Sequence, residues 1–228
     1  MSLILSIETS TSVGSVALHR AGVLVSLFDI CLENSHSQTL TLQIEQAVTL
    51  AGFSLAQLDA VALSAGPGSY TGLRIGTATA KGLCFALDKP LIAVGTLEAM
   101  AHGFRQANIY SDALLCPLLD ARRMEAWSAL YAPNGLETIW DAAPRVLNAE
   151  SFAEITDNQQ VICFGNGAAK YAPLLAHRPN FVFVNGLNPS AKNVGELAHT
   201  YWQQGRLADV AYFEPYYLKE GNVTAPKS

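Results

Sequence analysis

Two periodicities alternate along the chain. Short apolar runs at Leu3–Ile7, Ser15–Leu18 and Val23–Phe28 predict three strands joined by tight turns, an antiparallel meander. Leu40, Ile44, Ala47, Val48 and Ala51 then recur at helical spacing, and Gly52 is placed to end that helix. Ser35 with Gln38 three residues on predicts a capping box at its start. Val61–Ser64 and Leu91–Val94 read as buried strands, Thr71–Leu87 and Thr96–Gly103 as helices. The second half repeats the theme. Strands are predicted at Leu114–Leu119, Ala126–Tyr131, Val161–Phe164 and Phe181–Val184, with helices running from Gly167 to Leu175 and over Asn193–Gln204.

The two halves echo one another at one point. "IETSTSVGSVAL" (Ile7–Leu18) aligns without gaps on "LDARRMEAWSAL" (Leu119–Leu130). Each is a strand ending in an acid, Glu8 or Asp120, followed by a short turn and a strand ending in Ala-Leu. Identities are few, so chance stays open. A strand-acid-turn-strand unit opening each half is nevertheless the layout of a duplicated α/β fold, with a nucleotide held between the halves. The expected division is an N-terminal lobe over residues 1–105, rejoined by the last helix at 193–205, and a C-terminal lobe over 106–192. Residues 219–228 read as a loose polar tail. The seam falls near Gly103–Asp112.

Composition narrows the function. The chain has 228 residues, of which 50% are hydrophobic and 14% charged, against about 25% charged in an average soluble domain. Such a light coat of charge fits a large core, or apolar surface covered by a partner. A net charge of −5 gives no nucleic-acid footprint, and the densest basic spot is Arg122-Arg123. The four cysteines, Cys31, Cys84, Cys116 and Cys163, have no zinc spacing and are expected to be buried thiols in a reducing cytoplasm. "MSLILSIETS" lacks a basic start, so no signal peptide is expected. No uncharged stretch reaches membrane-spanning length without Gly or Pro.

Candidate chemistry gathers at the glycine turns. "SAGPGSYTGLRIGTATAKGL" (Ser64–Leu83) places Gly66 and Gly68 between a strand and a helix. It lacks the lysine of a Walker A loop, and its third glycine, Gly72, stands one residue late for a Rossmann fingerprint. What remains is a generic anion site at a helix start, or a turn and nothing more. Behind it Gly72, Gly76, Ala80 and Cys84 fall four apart, a groove of small residues suited either to a neighbouring chain or to the protein's own sheet. Gly165-Asn166-Gly167 could hold an adenosine moiety or only turn the chain. Glu8 and Asp120 could hold a divalent ion or cap their own turns. His19, His36, His102, His177 and His199 show no paired spacing, and no G-x-S-x-G elbow occurs.

Taken together, "LSIETSTSVGSVAL", "HSQTLTLQIEQ", "SAGPGSYTGLRIGTATAKGL", "AVGTLEAMA", "DARRMEAW", "GNGAAKY" and "EPYYL" resemble the TsaB (YeaZ) family over nearly the whole chain. The resemblance implies a duplicated α/β fold of the actin-like, Hsp70-like and sugar-kinase-like (ASKHA) type, two related lobes with mixed sheets flanked by helices. It implies a cytoplasmic, non-catalytic partner of TsaD, the subunit that places threonylcarbamoyl on the adenosine beside the tRNA anticodon. TsaD carries two metal-binding histidines in a V-N-H-x-x-G-H segment. The matching stretch here is Val94–Met100, where Thr96 and Met100 replace both, so no metal site of that kind is expected. By the same resemblance, Gly72, Leu73, Gly76 and Ala80, with Leu42 and other residues of Ser37–Leu50, would dock TsaD, or a second copy when TsaD is absent. Further partners implied are the small ATPase TsaE and, through the complex only, tRNA. Glu8, Thr9, Gly66, Gly68, Gly165 and Gly167 would line a vestigial cleft with at most weak ATP or ADP binding. The competing readings are an ASKHA-fold ATPase or small-molecule kinase and, behind it, a glycoprotease-like peptidase.

Overall fold

A computed structural model of the chain describes residues 2–32, 35–106, 112–133, 136–146, 148 and 150–216. Among these residues, ten strands form two five-stranded mixed sheets. The first contains β1 (Leu3–Glu8), β2 (Gly14–Arg20), β3 (Val23–Ile30), β4 (Ala60–Ser64) and β5 (Leu91–Val94), in the order β3-β2-β1-β4-β5. The second contains β6 (Leu114–Asp120), β7 (Glu125–Tyr131), β8 (Thr138–Val146), β9 (Val161–Phe164) and β10 (Phe181–Val184), in the order β10-β9-β6-β7-β8. Read from the meander outward, the two orders are the same. In each sheet an antiparallel meander is extended by two parallel strands. The faint echo around Glu8 and Asp120 is therefore matched strand for strand.

Helices α1 (His36–Thr49) and α2 (Tyr70–Leu87) lie on one face of the first sheet. Leu40, Ile44, Ala47 and Val48 of α1, with Ala80 and Cys84 of α2, pack on Leu5, Val16, Leu18 and Leu63. The other two long helices exchange lobes. Helix α3 (Thr96–Gln106) leaves the first sheet and packs on the second through Leu97, Met100 and Ala101. Helix α5 (Ala191–Gln203) leaves the second sheet and packs on the first through Val194, Leu197, Ala198 and Tyr201. They meet between the sheets. His102 of α3 bonds Glu196 of α5 at 3.0 Å, and the Tyr201 hydroxyl donates to Glu98 at 2.6 Å.

Several local expectations change. Ser35 is the N-cap of α1, but its hydroxyl donates to the Leu32 carbonyl and makes no capping bond. Helix α4 spans only Ala168–Tyr171, followed by turns, and Pro173 two residues on cannot supply an amide to continue it. Strand β8 has no counterpart in the apolar pattern, because Asp141, Pro144 and Arg145 interrupt it. Cys31 is exposed, whereas Cys84, Cys116 and Cys163 are buried. The tail at 219–228 lies outside the described residues.

The seam between β2 and α5 holds a buried histidine. His19 has no exposure, neither ring nitrogen has a partner, and Gly195 of α5 leaves room for the ring. Burial pushes its pKa down to about 4, helped by His199 and Lys192 and opposed by Glu196. The imidazole is thus neutral in the fold and takes up a proton on unfolding. Stability from this residue is complete above pH ~6.5, the unfolded value, and is lost as pH falls toward 4, by about 3 kcal/mol in all. Urea unfolding between pH 7.5 and 4.5 should show this slope. His19→Gln should flatten it in that window, and an unchanged slope would reject the assignment.

Candidate functional site

Four turns gather the sequence-predicted residues. The β1–β2 turn carries Glu8 and Thr9, and Ser64–Ser69 carries Gly66 and Gly68 into α2. The β6–β7 turn carries Asp120 and the arginine pair, and Gly165–Gly167 leads into α4. The first two are packed on one another. The Ser69 amide donates to the Ser10 carbonyl at 2.6 Å, and the Gly66 carbonyl accepts from Thr96 at 2.9 Å. A Cβ at Gly68 would fall under 3.0 Å from Ser10. Gly66 has φ +96°, follows no allowed side-chain conformation, and faces the Tyr216 carbonyl. The last two turns are joined in the same way. A Cβ at Gly165 would overlap the Leu118 carbonyl, and one at Gly167 would crowd Leu118 and Leu119. The fold alone therefore requires these glycines.

Glu8 is fully buried. One carboxylate oxygen accepts from the Ser10 amide, while Oε2 has no partner. Burial raises its pKa, and Ser10, Ser64 and His36 pull it back. A raised carboxyl pKa contributes stability that is present below the unfolded value of ~4.3 and lost as pH rises. Glu8→Gln should accordingly raise stability at pH 7.5 by about 1–3 kcal/mol, read by thermal unfolding. A loss of stability would mean that the charge itself holds the turn. His36 closes the outer side of this turn, with Nε2–H donating to the Thr11 carbonyl at 2.7 Å. Its ring also abuts Gly14.

Asp120 is spent differently. Its carboxylate accepts from the Arg122 amide at 2.7 Å and pairs with Lys170, which also reaches the Arg123 carbonyl at 2.8 Å. The Asn166 side chain accepts from the Asp120 amide at 2.9 Å. The sequence alone singled out neither Lys170 nor this use of Asn166. Thr96 is buried and Met100 packs in the core beside Gly165. Among the described residues, no three His, Cys, Asp or Glu side chains gather as a metal site.

The docking stripe expected on α2 needs correction. Gly72, Leu73, Gly76 and Ala80 are buried within the chain. A Cβ at Gly72 would strike the Thr9 carbonyl, and one at Gly76 the Thr9 hydroxyl, each under 3.0 Å. The missing side chains make room for the protein's own β1–β2 turn, and Ala80 sits in the core below the helix. The outward face of α2 is instead Thr71, Arg74, Ala78, Gly82 and Phe85. Phe85 is 88% exposed, and a Cβ at Gly82 would meet open space. Helix α1 packs beside α2 and exposes Gln38, Leu42, Glu45 and Thr49, with Leu42 half-exposed at 52%. Leu42, Gly82 and Phe85 are thus exposed, whereas the inner stripe is not. A large aromatic repeating with exposed small residues was the available signal for that face.

Comparison with known proteins follows these features. Residues 31–212 match the family profile described as TsaD, tRNA N6-adenosine threonylcarbamoyltransferase. The chain is 32% identical to the tRNA threonylcarbamoyladenosine biosynthesis protein TsaB of Escherichia coli, covering 95% of this chain and 94% of that one. It is 26% identical to TsaB of Haemophilus influenzae over 95% and 93% of the two chains. The solved structure of YeaZ from Pseudomonas aeruginosa superposes with a TM-score of 0.82 at 28% identity, over 96% of this chain and all of that one. A wider likeness of fold alone extends to the ethanolamine utilization protein EutJ of Carboxydothermus hydrogenoformans, with a TM-score of 0.52 at 9% identity and coverage of 87% and 90%.

Proposed function

The chain belongs to the TsaB family, and from that premise we propose that it is a non-catalytic partner in the synthesis of threonylcarbamoyladenosine in tRNA. It pairs with a TsaD-like threonylcarbamoyltransferase through the outward faces of α1 and α2, and the pair engages a TsaE-like ATPase. In the absence of TsaD the same face closes on a second copy of the chain, since a two-fold contact covers one patch with itself.

One observation carries this reading: apolar and small residues stand uncovered on two neighbouring helices. Phe85 is 88% exposed and Leu42 52%, Ala78 is exposed on the same helix as Phe85, and Gly82 leaves open space in mid-helix. Glycine inside a helix costs about 1 kcal/mol relative to alanine. At Gly72 and Gly76 the fold explains that cost, but at Gly82 nothing within the chain does. Close approach of another helix does explain it. The non-catalytic role is supported by the site of the two TsaD histidines, where Thr96 and Met100 are interior packing residues. The glycine turns are likewise consumed by internal contacts, so nucleotide binding is not needed to account for them. Among the described residues no helix is long and apolar enough to cross a membrane, which suits work on tRNA in the cytoplasm.

The test is reconstitution. Unmodified tRNA, a threonylcarbamoyl donor, the catalytic subunit and the ATPase are combined with and without this chain. Modification should depend on the chain and on co-elution with the catalytic subunit. Equal modification without it would reject the proposal. Calorimetric titration with Mg-ATP adds the opposing result, since tight binding with turnover by the chain alone would make it an ATPase.

A further inference from the structure

The β6–β7 turn carries two features that packing does not explain. Arg122 and Arg123 have φ of 68° and 51°, the left-handed region that side chains other than glycine rarely adopt. Backbone bonds from Ala121 to Glu125 and from Glu125 to Arg122 close the turn around Arg122, Arg123 and Met124, and positions in the left-handed region favour Gly, Asn or Asp. Here two long cations occupy them instead. Both are exposed, and neither guanidinium has an ion-pair or hydrogen-bond partner among the described residues.

The surroundings fix the turn. Asp120, at its start, is already paired with Lys170 and accepts from the Arg122 amide, and the Glu125 backbone closes its far end. Lys170 also ties down the Arg123 carbonyl. Asn166 holds the Asp120 amide. A turn tied down by these bonds therefore exposes two arginines next to each other in the chain, on a protein whose net charge is −5. Long-range attraction of a polyanion is absent, so recognition must be made by local contact.

We propose that Arg122 and Arg123 form a direct contact to the RNA phosphate backbone. The planar guanidinium matches a phosphate with two parallel hydrogen bonds, and adjacent arginines on a fixed turn can span neighbouring phosphodiesters. Exposure on a turn suits an extended polyanion better than a free nucleotide, which is normally enclosed in a concave site. The proposal rests on the tRNA-modification reading and adds that this chain touches the tRNA itself.

The probe is an unmodified tRNA transcript, bound by the chain together with the catalytic subunit and followed by filter binding from 50 to 200 mM salt. Each neutralised phosphate contributes about 0.7 to 0.9 to the slope of log affinity against log salt. The Arg122→Ala/Arg123→Ala double variant should bind about tenfold more weakly at 100 mM salt, with a slope shallower by about 1.4 to 1.8. Arg122→Lys/Arg123→Lys should keep most of the slope. Thermal melting and co-elution with the catalytic subunit should be unchanged in both. An unaltered slope in the alanine variant overturns the proposal. So does a wild-type chain that adds nothing to the tRNA affinity of the catalytic subunit, or a variant that loses Mg-ATP binding while keeping tRNA. If the wild-type chain fails to co-elute, the functional reading falls separately. The same loss of slope is then required of the chain alone.

Discussion

Gly72→Ala is expected to lower the melting temperature by about 2–12 °C. The added methyl would lie under 3.0 Å from the Thr9 carbonyl oxygen. That obstacle is backbone, fixed by the β1–β2 hairpin in which Glu8 pairs with Ser15. It cannot rotate away as a side chain would, so either α2 or the turn must move. Overpacking of a tight site costs about 1–3 kcal/mol, sometimes more, and in a chain of this size each kcal/mol is worth about 2–4 °C. Gly82→Leu is the matched control. A Cβ there meets nothing within 4 Å, and leucine is the better helix former, so its melting temperature should hold or rise. Differential scanning calorimetry of the two variants separates an inner glycine stripe that serves the fold from an outer one that does not. Equal melting for Gly72→Ala and the wild type would return the inner stripe to the docking face.

The second large effect concerns association. Phe85→Glu should weaken binding to the catalytic subunit by about a hundredfold, close to 3 kcal/mol, the scale of a central aromatic anchor. Phe85 is 88% exposed, so the free chain loses little by the change. Its circular dichroism and melting should match the wild type. Gly82→Leu should weaken binding as well, because its side chain fills space that the partner's helix needs. The readout is the dissociation constant from sedimentation or calorimetry, and the homodimer proposed above should weaken in parallel. Full affinity in Phe85→Glu would remove α2 from the interface.

The fully buried strands were legible because burial on both faces writes them as apolar runs, as in LILSIE of β1 and VICF of β9, whereas the half-exposed β8 was not. Helix α1 was legible through Leu40, Ile44, Ala47 and Val48. The duplication showed only at its two acid-ending strands, and their chemistry then diverged. Glu8 became fully buried, while Asp120 turned outward to Lys170. The facing of α2 could not be read from spacing. The series Gly72, Gly76, Ala80, Cys84 and the series Thr71, Arg74, Ala78, Gly82, Phe85 both follow helical periodicity. Glycine signals close approach without saying whose backbone approaches. Thr9 answers that for the inner series, from 63 residues away in the case of Gly72. Hydrophobicity pointed the wrong way for Phe85, since a phenylalanine in a helix is ordinarily core. The packing of α3 on the second sheet and of α5 on Ile4, Ala60 and Ile92 of the first is set by contacts distant in the chain, which spacing does not report.

The docking face is tested most directly by protection. Ala78→Cys in a Cys31→Ser background places a thiol at the centre of the outward face of α2, with Cys84, Cys116 and Cys163 buried. Its maleimide labelling rate is measured alone and with saturating catalytic subunit. The account predicts at least a tenfold slowing when the partner is present. An unchanged rate, in a sample where the two chains co-elute, would contradict it.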